Sequence, residues 1–382
     1  MPGKILYVRG SFAPINFKGY NVQEIGLGKA FCALGYDFDF IYLSKKKEPE
    51  WEYKIDNHVL RVIPKRGIRM MRTRYNHKIL NTNFLKQYKY IISAEYGQIM
   101  TYSLSKRVDN VAFYSGPYYN LFKLPFISPI YDFLFTRKIN NRCCAKFVKS
   151  ILAKEYLEKK GYTNVTNVGV GLDVERFNED VPIQENTQRI VDFMTKNTCI
   201  LYVGSLSERK NFPFLVDIYT KLKDKRNDVK FVVIGKGNQK YIKKNIDRIP
   251  VEYREDFFHI ESVDNSQLKY IYPLAKAFLL PSKQEIFGMV LLESMYLGAP
   301  VITSRNGGST TIIEGKNSGT IIPDFDVEKW VDAVIKYLDN PMDTIAMVER
   351  ARQLISKEFV WPSIAEKMLK VLGENDFSSE VD

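Results

Sequence analysis

The sequence predicts an α/β protein built from two doubly wound domains, each with a parallel sheet. Apolar runs that resemble strands alternate with helical patterns, which is typical of βαβ units. This alternation occurs in two series, and the polar residues 178–196 lie between them. The length of 382 residues also fits two domains, each large enough for its own core.

The first series lies in the first half of the chain. An amphipathic helix is expected over 23–34, where Gly35 ends it. Asp37 and Asp39 alternate with phenylalanines, a pattern expected of an edge strand. Apolar runs predict strands at 5–8, 38–43, 59–62, 90–92, 111–114 and 165–168. We expect the first domain to span residues 1–170.

The second series predicts a domain over residues 171–357. Strands are expected at 199–203, 229–234, 277–280 and 301–303, with a helix opening near Gly288. Asp326 is the expected N-cap of another helix, over 328–338. Residues 358–382 contain a last amphipathic helix and a tail.

Composition narrows the class of protein. The chain is 45% hydrophobic and 26% charged, as in ordinary globular proteins, and no apolar run approaches the ~20 residues of a membrane span. No signal peptide is recognised, and the four cysteines show neither metal-ligand nor disulfide spacing. A reducing cytoplasm is the expected location. Two Asp-x-Asp pairs lack further ligands nearby, so we expect no metal site.

The charge is unevenly distributed. Residues 1–170 hold 28 Lys and Arg against 12 Asp and Glu, although the whole chain is only +12. Between Asp56 and Glu95 there is no acidic residue, and segment 61–89 mixes nine basic residues with apolar ones. Such a segment suits the surface of an anionic membrane. A solvated basic loop or helix that binds an anionic acceptor is the alternative.

Two carboxylates eight residues apart carry most of the functional information. Glu293 has Met289, Val290, Tyr296 and Leu297 as its helical neighbours, so its carboxylate faces an apolar wall. This is costly unless a protein group or a ligand donates hydrogen bonds to it. Glu285 precedes the expected helix, where its charge either favours the helix N-terminus or contacts a ligand.

The helix start between these carboxylates suits a phosphate. Gly288 lets a ligand approach the backbone closely, and the first N–H groups around Phe287 and Met289 favour an anion. Carboxylates are pure acceptors suited to paired hydroxyls. A diphosphate with a sugar diol on each side is a nucleotide-sugar, so the pattern predicts a nucleotide-sugar site.

The ordered motifs resemble a known family. Glu285-x7-Glu293 is followed by Gly298-Ala-Pro300 and Gly307-Gly308, and preceded by a strand, Gly204 and Arg209-Lys210. This resembles the retaining glycosyltransferases grouped as family four, most clearly over residues 172–338. The resemblance implies two Rossmann-like domains facing a central cleft (the GT-B arrangement), with the last helix crossing back to the first domain.

The resemblance also implies roles for individual residues. Glu293 would contact the ribose hydroxyls and Glu285 the hydroxyls of the transferred sugar. Lys210 would stabilise the negative charge that builds on the leaving phosphate. The family's usual arginine is Ser205 here, so Arg209 is the candidate substitute; the alternative for Arg209-Lys210 is an exposed basic turn.

Other family positions match less well. Gly19, in the loop after the first strand, is expected to let backbone approach the diphosphate, or else is simply a turn glycine. The family's histidine after a central strand of the first domain is missing, and Tyr114 or Ser115 is the candidate replacement. Gly307-Gly308 fits a tight turn.

The sequence therefore predicts a retaining glycosyltransferase that moves a sugar from a nucleotide-sugar, with a UDP-sugar expected, to a membrane-associated or lipid-linked glycan. It would be cytoplasmic and peripheral on the inner face of the plasma membrane, would act in cell-surface polysaccharide or glycolipid synthesis, and would need no cofactor. The alternatives are a sugar-nucleotide epimerase, a soluble-acceptor transferase of the same fold, and a non-catalytic partner of another transferase. Nucleic acid is not an expected partner, because no recognised motif accompanies the basic charge.

Overall fold

A computed structural model describes residues 3–10, 15, 22–46, 48–70, 73–120, 122, 124 and 126–378. The chain divides into two compact units. Unit 1 comprises Met1–Asp173 and Phe359–Asp382, and unit 2 comprises Val174–Glu358. The division falls after Asp173, close to the expected boundary at 170, and residues 359–382 belong to unit 1.

The strands are β1 (Gly3–Arg9), β2 (Tyr36–Ser44), β3 (Trp51–Ile55), β4 (His58–Arg66), β5 (Ile68–Met70), β6 (Thr73–Tyr75), β7 (Tyr90–Ala94), β8 (Val111–Ser115), β9 (Ala145–Val148), β10 (Val165–Asn167), β11 (Thr198–Val203), β12 (Val229–Ile234), β13 (Phe257–Ile260), β14 (Ala277–Leu280), β15 (Val301–Ser304) and β16 (Thr320–Ile322).

The α-helices are α1 (Gln23–Ala33), α2 (Thr82–Leu85), α3 (Ile99–Ser105), α4 (Ile127–Tyr131), α5 (Arg137–Arg142), α6 (Ile151–Lys159), α7 (Glu175–Asn178), α8 (Glu185–Lys196), α9 (Phe212–Lys225), α10 (Gln239–Ile246), α11 (Leu268–Ile271), α12 (Met289–Tyr296), α13 (Gly307–Ile312), α14 (Val327–Asp339), α15 (Pro341–Glu358) and α16 (Trp361–Ser378). Short 3-10 turns cover His77–Leu80, Val251–Asp256, Asn265–Gln267 and Tyr272–Leu274, and a π-helical turn covers Asp132–Thr136.

The predicted α/β class is confirmed. In the described part of unit 1, eight strands form a sheet in the order β10-β9-β8-β7-β1-β2-β4-β3, parallel except for β3. Six strands of unit 2 form a parallel sheet in the order β13-β12-β11-β14-β15-β16. Most of the central strands are buried along their whole length, which explains why they are nearly continuous apolar runs in the sequence.

Both sheets reverse their strand order beside their first strand. In unit 1, β1 lies between β2 and β7, and in unit 2, β11 lies between β12 and β14. Connections leaving the two strands at such a reversal diverge to opposite faces of the sheet. They leave a crevice outside the carboxyl ends of the strands, where doubly wound proteins bind ligands.

The structure corrects the expectation that Asp37 and Asp39 mark an edge strand. Strand β2 is interior, between β1 and β4, and Asp39 is only 2% exposed. The Asp39 carboxylate accepts hydrogen bonds from Lys4 at 2.8 Å and the Tyr88 hydroxyl at 2.7 Å, and Arg61 lies 3.4 Å away. An interior polar residue is therefore tolerated because cations and a hydroxyl from neighbouring elements satisfy it.

Two glycines let helix α1 pack closely in unit 1. A Cβ atom on Gly26 would lie 2.2 Å from the indole nitrogen of Trp361, and one on Gly28 would lie 2.3 Å from Leu60. Trp361, the first residue of α16, is 3% exposed. The last helix is thus part of the core of unit 1.

No helix in the described ranges is both long and apolar enough to cross a bilayer. All four cysteines are described, and none is in a disulfide. Asp326 caps α14 as expected, accepting hydrogen bonds from the amides of Glu328 and Lys329.

Replacing Trp361 by alanine tests the role of α16 in the core. We expect Trp361→Ala to lower the free energy of unfolding of unit 1 by about 3–5 kcal/mol, because it leaves a large cavity against Gly26. Urea unfolding of the full chain measures this. Trp51→Ala, on the edge strand β3, is the matched control and should cost less. An equal loss in the two variants would contradict the assignment of α16 to this core.

Candidate functional site

The carboxylate of Glu293 is buried without a charged partner. Glu293 is 1% exposed, and its neighbours Leu292 and Met295 are fully buried. Within the residues that the structure describes, no cation pairs with it, and one oxygen, Oε1, has no hydrogen-bond partner. The other oxygen, Oε2, lies 3.5 Å from the amide nitrogen of Asn265, which precedes α11.

Burial raises the pKa of Glu293 from 4.5 to about 8. The cause is desolvation, which disfavours the charged form. A ligand that donated hydrogen bonds to the carboxylate would favour the charged form and lower this pKa. The unpaired oxygen is therefore suited to a donor that comes from outside the chain.

Two glycines shape the loop before α12 and allow α13 to pack closely against it. Gly288 has φ +86°, a left-handed conformation that few other residues adopt, and it is the N-cap of α12. Gly308, in α13, packs under this loop, because a Cβ there would lie 1.9 Å from the Phe287 carbonyl oxygen. Gly307 and Gly308 thus open a helix against the loop and do not form the tight turn that we expected. Phe287 is buried and Met289 is partly exposed.

Glu285 joins the two loops at the strand reversal of unit 2. Its carboxylate contacts Lys210 Nζ, and Arg209 Nη1 lies 3.4 Å from the same oxygen. Lys210 and Arg209 belong to the loop after β11, and Glu285 belongs to the loop after β14. The Arg209 side chain is half exposed, whereas those of Lys210 and Glu285 are only 10% and 13% exposed.

Backbone contacts hold these loops in place. Arg209 Nη1 donates to the Gln284 carbonyl at 2.9 Å, and the Arg209 carbonyl accepts from the Lys283 amide at 3.0 Å. Gly235 and Gly237 follow β12 and pack against the loop after β11, where a Cβ on Gly235 would lie 1.9 Å from the Gly204 carbonyl oxygen. These glycines are therefore needed for the close packing of the two loops.

Ser205, which stands where the family has an arginine, is exposed. Its carbonyl accepts a hydrogen bond from the Tyr202 hydroxyl at 2.9 Å. Arg209, the candidate substitute for the missing arginine, lies beside Lys210 and Glu285. Gly19 lies outside the described residues.

Unit 1 has a second polar cluster at the carboxyl ends of β1, β7, β8 and β9. Glu95 follows β7 with φ +67°, a strained conformation for a residue with a side chain. Its carboxylate accepts hydrogen bonds from Ser115 Oγ at 2.9 Å and from the Gly116 amide at 3.3 Å. Burial raises the pKa of Glu95, while Lys149 and these donors oppose that shift. Such strain tends to be retained at functional positions.

The sequence interpretation missed Glu95, because a lone glutamate after a short apolar run carries no motif. Positive φ is not visible in the sequence. The residues that we considered as histidine replacements lie nearby but are satisfied: Tyr114 donates to the Gly169 carbonyl at 2.5 Å, and Ser115 is fully buried and donates to Glu95. Asn265 was missed for a similar reason, since it is 28 residues from Glu293 in sequence.

No group of three or more His, Cys, Asp or Glu in the described ranges is arranged to hold a metal ion. Lys210 and Arg209 are two cations beside Glu285 at the strand reversal of unit 2.

The pH dependence of stability tests the environment of Glu293. Between pH 4.5 and about 8 the folded state holds a proton that the unfolded chain has lost, so this group makes the protein less stable as pH rises. We expect Glu293→Gln to be more stable than the wild type at pH 8, by about 1.4 kcal/mol per unit of pKa shift, and the difference to shrink towards pH 5. Thermal unfolding at both pH values measures it.

Glu255→Gln, which removes an exposed carboxylate from the same unit, is the matched control and should leave the wild-type slope unchanged. If Glu293→Gln showed the wild-type slope too, the carboxylate would be solvated or paired, contrary to the structure.

Comparison with known proteins matches most of unit 2 to a family model. Residues 183–354 match the family model described as "Glycosyl transferases group 1". A lipopolysaccharide 1,2-N-acetylglucosaminetransferase of Salmonella typhimurium is 24% identical over 193 residues, which cover 48% of this chain and 50% of the relative. The chain spans about half the length of the curated relatives it matches.

Solved structures extend the likeness to the whole chain. A sucrose-phosphate synthase from Thermosynechococcus elongatus superposes with a TM-score of 0.71 at 18% identity, over 99% of this chain and 100% of that one. An Anabaena protein solved in complex with UDP and glucose superposes with a TM-score of 0.67 at 14% identity, over 97% and 99%. At these identities the likeness concerns the fold. Over residues 183–354 the chain is similar to the group 1 glycosyltransferases, and its fold is of the GT-B type.

Proposed function

We propose that this chain is a retaining glycosyltransferase that takes a sugar from a nucleotide-sugar, with UDP as the expected nucleotide. The observation that carries the proposal is the buried Glu293 carboxylate with an unpaired oxygen, next to a glycine-started helix. The Anabaena neighbour was solved with UDP and glucose, which supports a nucleotide-sugar as donor. In this proposal the ribose hydroxyls donate to Glu293.

The cations at the strand reversal suit the leaving diphosphate. When the bond between the sugar and the phosphate breaks, its electron pair stays on the phosphate oxygen, and a fixed positive charge there lowers the barrier. Lys210 is the main candidate, because its side chain is nearly buried and therefore weakly screened by water. Arg209 is a second cation, and Glu285 would divide its contacts between Lys210 and the sugar hydroxyls.

The retaining outcome follows if the acceptor oxygen attacks the anomeric carbon from the face that the diphosphate leaves. The acceptor proton then passes to the departing phosphate oxygen. These roles need no metal, since Lys210 and Arg209 supply the positive charge, and we propose that the enzyme works without one.

We propose that unit 1 binds the acceptor, a membrane-associated or lipid-linked glycan, at the inner face of the plasma membrane. The net charge of +16 over residues 1–170 supports an anionic surface or acceptor. The Salmonella relative is named as an enzyme of lipopolysaccharide, which supports a role in cell-surface glycan synthesis. The polar cluster around Glu95 supports a site for acceptor hydroxyls.

Nucleotide binding tests the donor site. We expect UDP to raise the thermal midpoint of the wild type. UDP should bind Glu293→Gln about 10- to 100-fold more weakly, because the variant loses hydrogen bonds to a charged group. Glu255→Gln is the matched control. Unchanged affinity for UDP and UDP-sugars in Glu293→Gln would refute the assignment, and a parallel series with GDP-sugars identifies the base.

Turnover measurements test the role of Lys210. We expect Lys210→Gln to lower kcat by about 10²-fold or more, because the lost charge acts mainly in the transition state. Lys283→Gln, an exposed lysine in the loop after β14, is the matched control and should keep kcat. Equal activity of the two variants would exclude Lys210 as the group that stabilises the leaving phosphate.

The acceptor site in unit 1 has its own test. We expect Glu95→Gln to weaken transfer to the acceptor by about tenfold or more, while the shift of the thermal midpoint by UDP stays as in the wild type. Asp109→Asn, in the turn before β8, is a matched control in the same unit. Loss of UDP binding in Glu95→Gln would mean that the residue acts on the donor or on stability instead.

Product analysis separates the alternatives. Conversion of a UDP-sugar in the absence of any acceptor would indicate an epimerase, and binding without turnover would indicate a non-catalytic partner protein. The anomeric configuration of the product, measured by NMR, tests retention.

A further inference from the structure

A continuous helical segment of unit 1 exposes an unusual number of large apolar side chains. Helix α4, the π-helical turn and α5 run without interruption from Ile127 to Arg142. The exposed large hydrophobic residues at this segment and just before it are Leu124 (50% exposed), Phe126 (60%), Ile130 (54%), Phe133 (87%) and Leu134 (44%). An isolated exposed leucine needs no explanation, but a cluster of five does.

The apolar side chains lie on one face of the segment. Phe126, Ile130 and Phe133 are spaced by four and three residues, so they point in similar directions from a helix. The opposite face is fixed in the core of unit 1 by Tyr131 and Ile139, which are 4% and 0% exposed. The Tyr131 hydroxyl also donates to the Tyr96 carbonyl at 2.9 Å. The segment therefore cannot bury its outer residues by rotating about the helix axis.

The charges around this face are positive. Arg137, Lys138 and Arg142 are exposed in the last turns of the segment. Asp132 is the one acidic residue between 110 and 154, and Lys160 pairs with it on the inner side. The outer face therefore presents apolar side chains followed by exposed cations, a combination typical of helices that lie in the interface of an anionic membrane.

We propose that residues 126–142, termed here the interfacial helix, dock unit 1 on an anionic lipid bilayer. Phe126, Ile130, Phe133 and Leu134 would enter the boundary between headgroups and acyl chains, and Arg137 and Lys138 would contact lipid phosphates. The inference does not depend on the proposed catalysis, since docking needs neither donor nor acceptor.

This surface differs from the basic segment 61–89 that the sequence singled out. The structure pairs part of that segment with acids: Lys65 lies 2.8 Å from Glu50, and Arg61 lies within 4 Å of Asp39 and Glu52. The β5–β6 hairpin of that segment keeps Ile68 exposed at 71%. Helix α3 contacts both α5 and β6, so the hairpin is a second candidate contact near the interfacial helix.

Cosedimentation of the full-length protein with vesicles tests the proposal. We expect binding to vesicles of phosphatidylcholine mixed with phosphatidylglycerol, and about tenfold or more weaker binding for the double variant Ile130→Ser and Phe133→Ser. The matched control is the double variant Met342→Ser and Ile345→Ser, which removes apolar residues exposed at 78% and 64% in unit 2 and should bind as the wild type does.

Charge and location are tested by two more variants. The double variant Arg137→Gln and Lys138→Gln should lose affinity for the anionic vesicles by several-fold and should lose less in high salt. Ile68→Ser, in the hairpin, should bind nearly as the wild type does. Circular dichroism and the thermal midpoint confirm that each variant is folded.

Three results would overturn the proposal. Equal vesicle binding by the wild type and the Ile130/Phe133 variant would exclude the interfacial helix. Loss of binding only in Ile68→Ser would place the membrane contact on the hairpin. Absence of vesicle binding together with self-association of the wild type that Ile130→Ser and Phe133→Ser abolish, measured by sedimentation velocity, would show that this face binds a second copy of the chain.

Discussion

The ion pair between Lys210 and Glu285 is the largely buried charge contact at the strand reversal of unit 2, where backbone contacts also hold the loops together. It joins the loop after β11 to the loop after β14, the two strands between which the sheet reverses its order. A parallel sheet leaves these loops without a common partner, because their connections continue on opposite faces. The pair holds two opposite charges, both largely shielded from water, at the place where a ligand of this fold binds. In the proposed function a diphosphate would compete with Glu285 for Lys210, so the contact that joins the loops would also place a cation for a charged ligand.

Glu293 shows the opposite arrangement, a buried carboxylate that the chain leaves without a charged partner. The raised pKa indicates that this residue costs folding free energy at neutral and alkaline pH. Such a cost is typical of binding and catalytic positions, where function requires a group that packing alone would exclude. Asn265 reduces the cost only weakly, since its amide lies 3.5 Å away.

Unit 1 resembles unit 2 in its topology but differs in its surface chemistry. Its polar cluster around Glu95 also lies at the carboxyl edge of a parallel sheet, beside the strand reversal. Its outer surface carries the positive charge and the exposed aromatic residues of the chain's interfacial helix. Donor recognition and attachment to a surface would then be divided between two units that share one architecture.

Sequence alone determined the elements whose burial is uniform and the motifs that are local. Most interior strands were predicted within about four residues, because a strand buried on both faces is a continuous apolar run. The interior strand β9 was missed, since Lys146 interrupts its short apolar run. The spacing of Glu285 and Glu293 around Gly288 was also readable, since it depends on one loop and one helix. The interfacial helix, however, could not be found from apolar content alone, because Tyr131 and Phe133 look alike in sequence, whereas one is buried and the other is 87% exposed.

Only the tertiary structure decided which distant groups meet. The partners of Asp39, the Glu285 contact with Lys210 and the Ser115 donor to Glu95 are separated by 20 to 75 residues in sequence. Glu285 and Ser115 meet their partners because parallel strands bring the residues at their carboxyl ends to one edge of a sheet. Asp39 meets its partners in the amino-terminal half of β1, β2 and β4 and before β7. Local patterns carry no information about strand order. The tertiary structure was therefore needed to recognise the interior position of β2, the glycines that pack against the loops, and the strained conformation of Glu95.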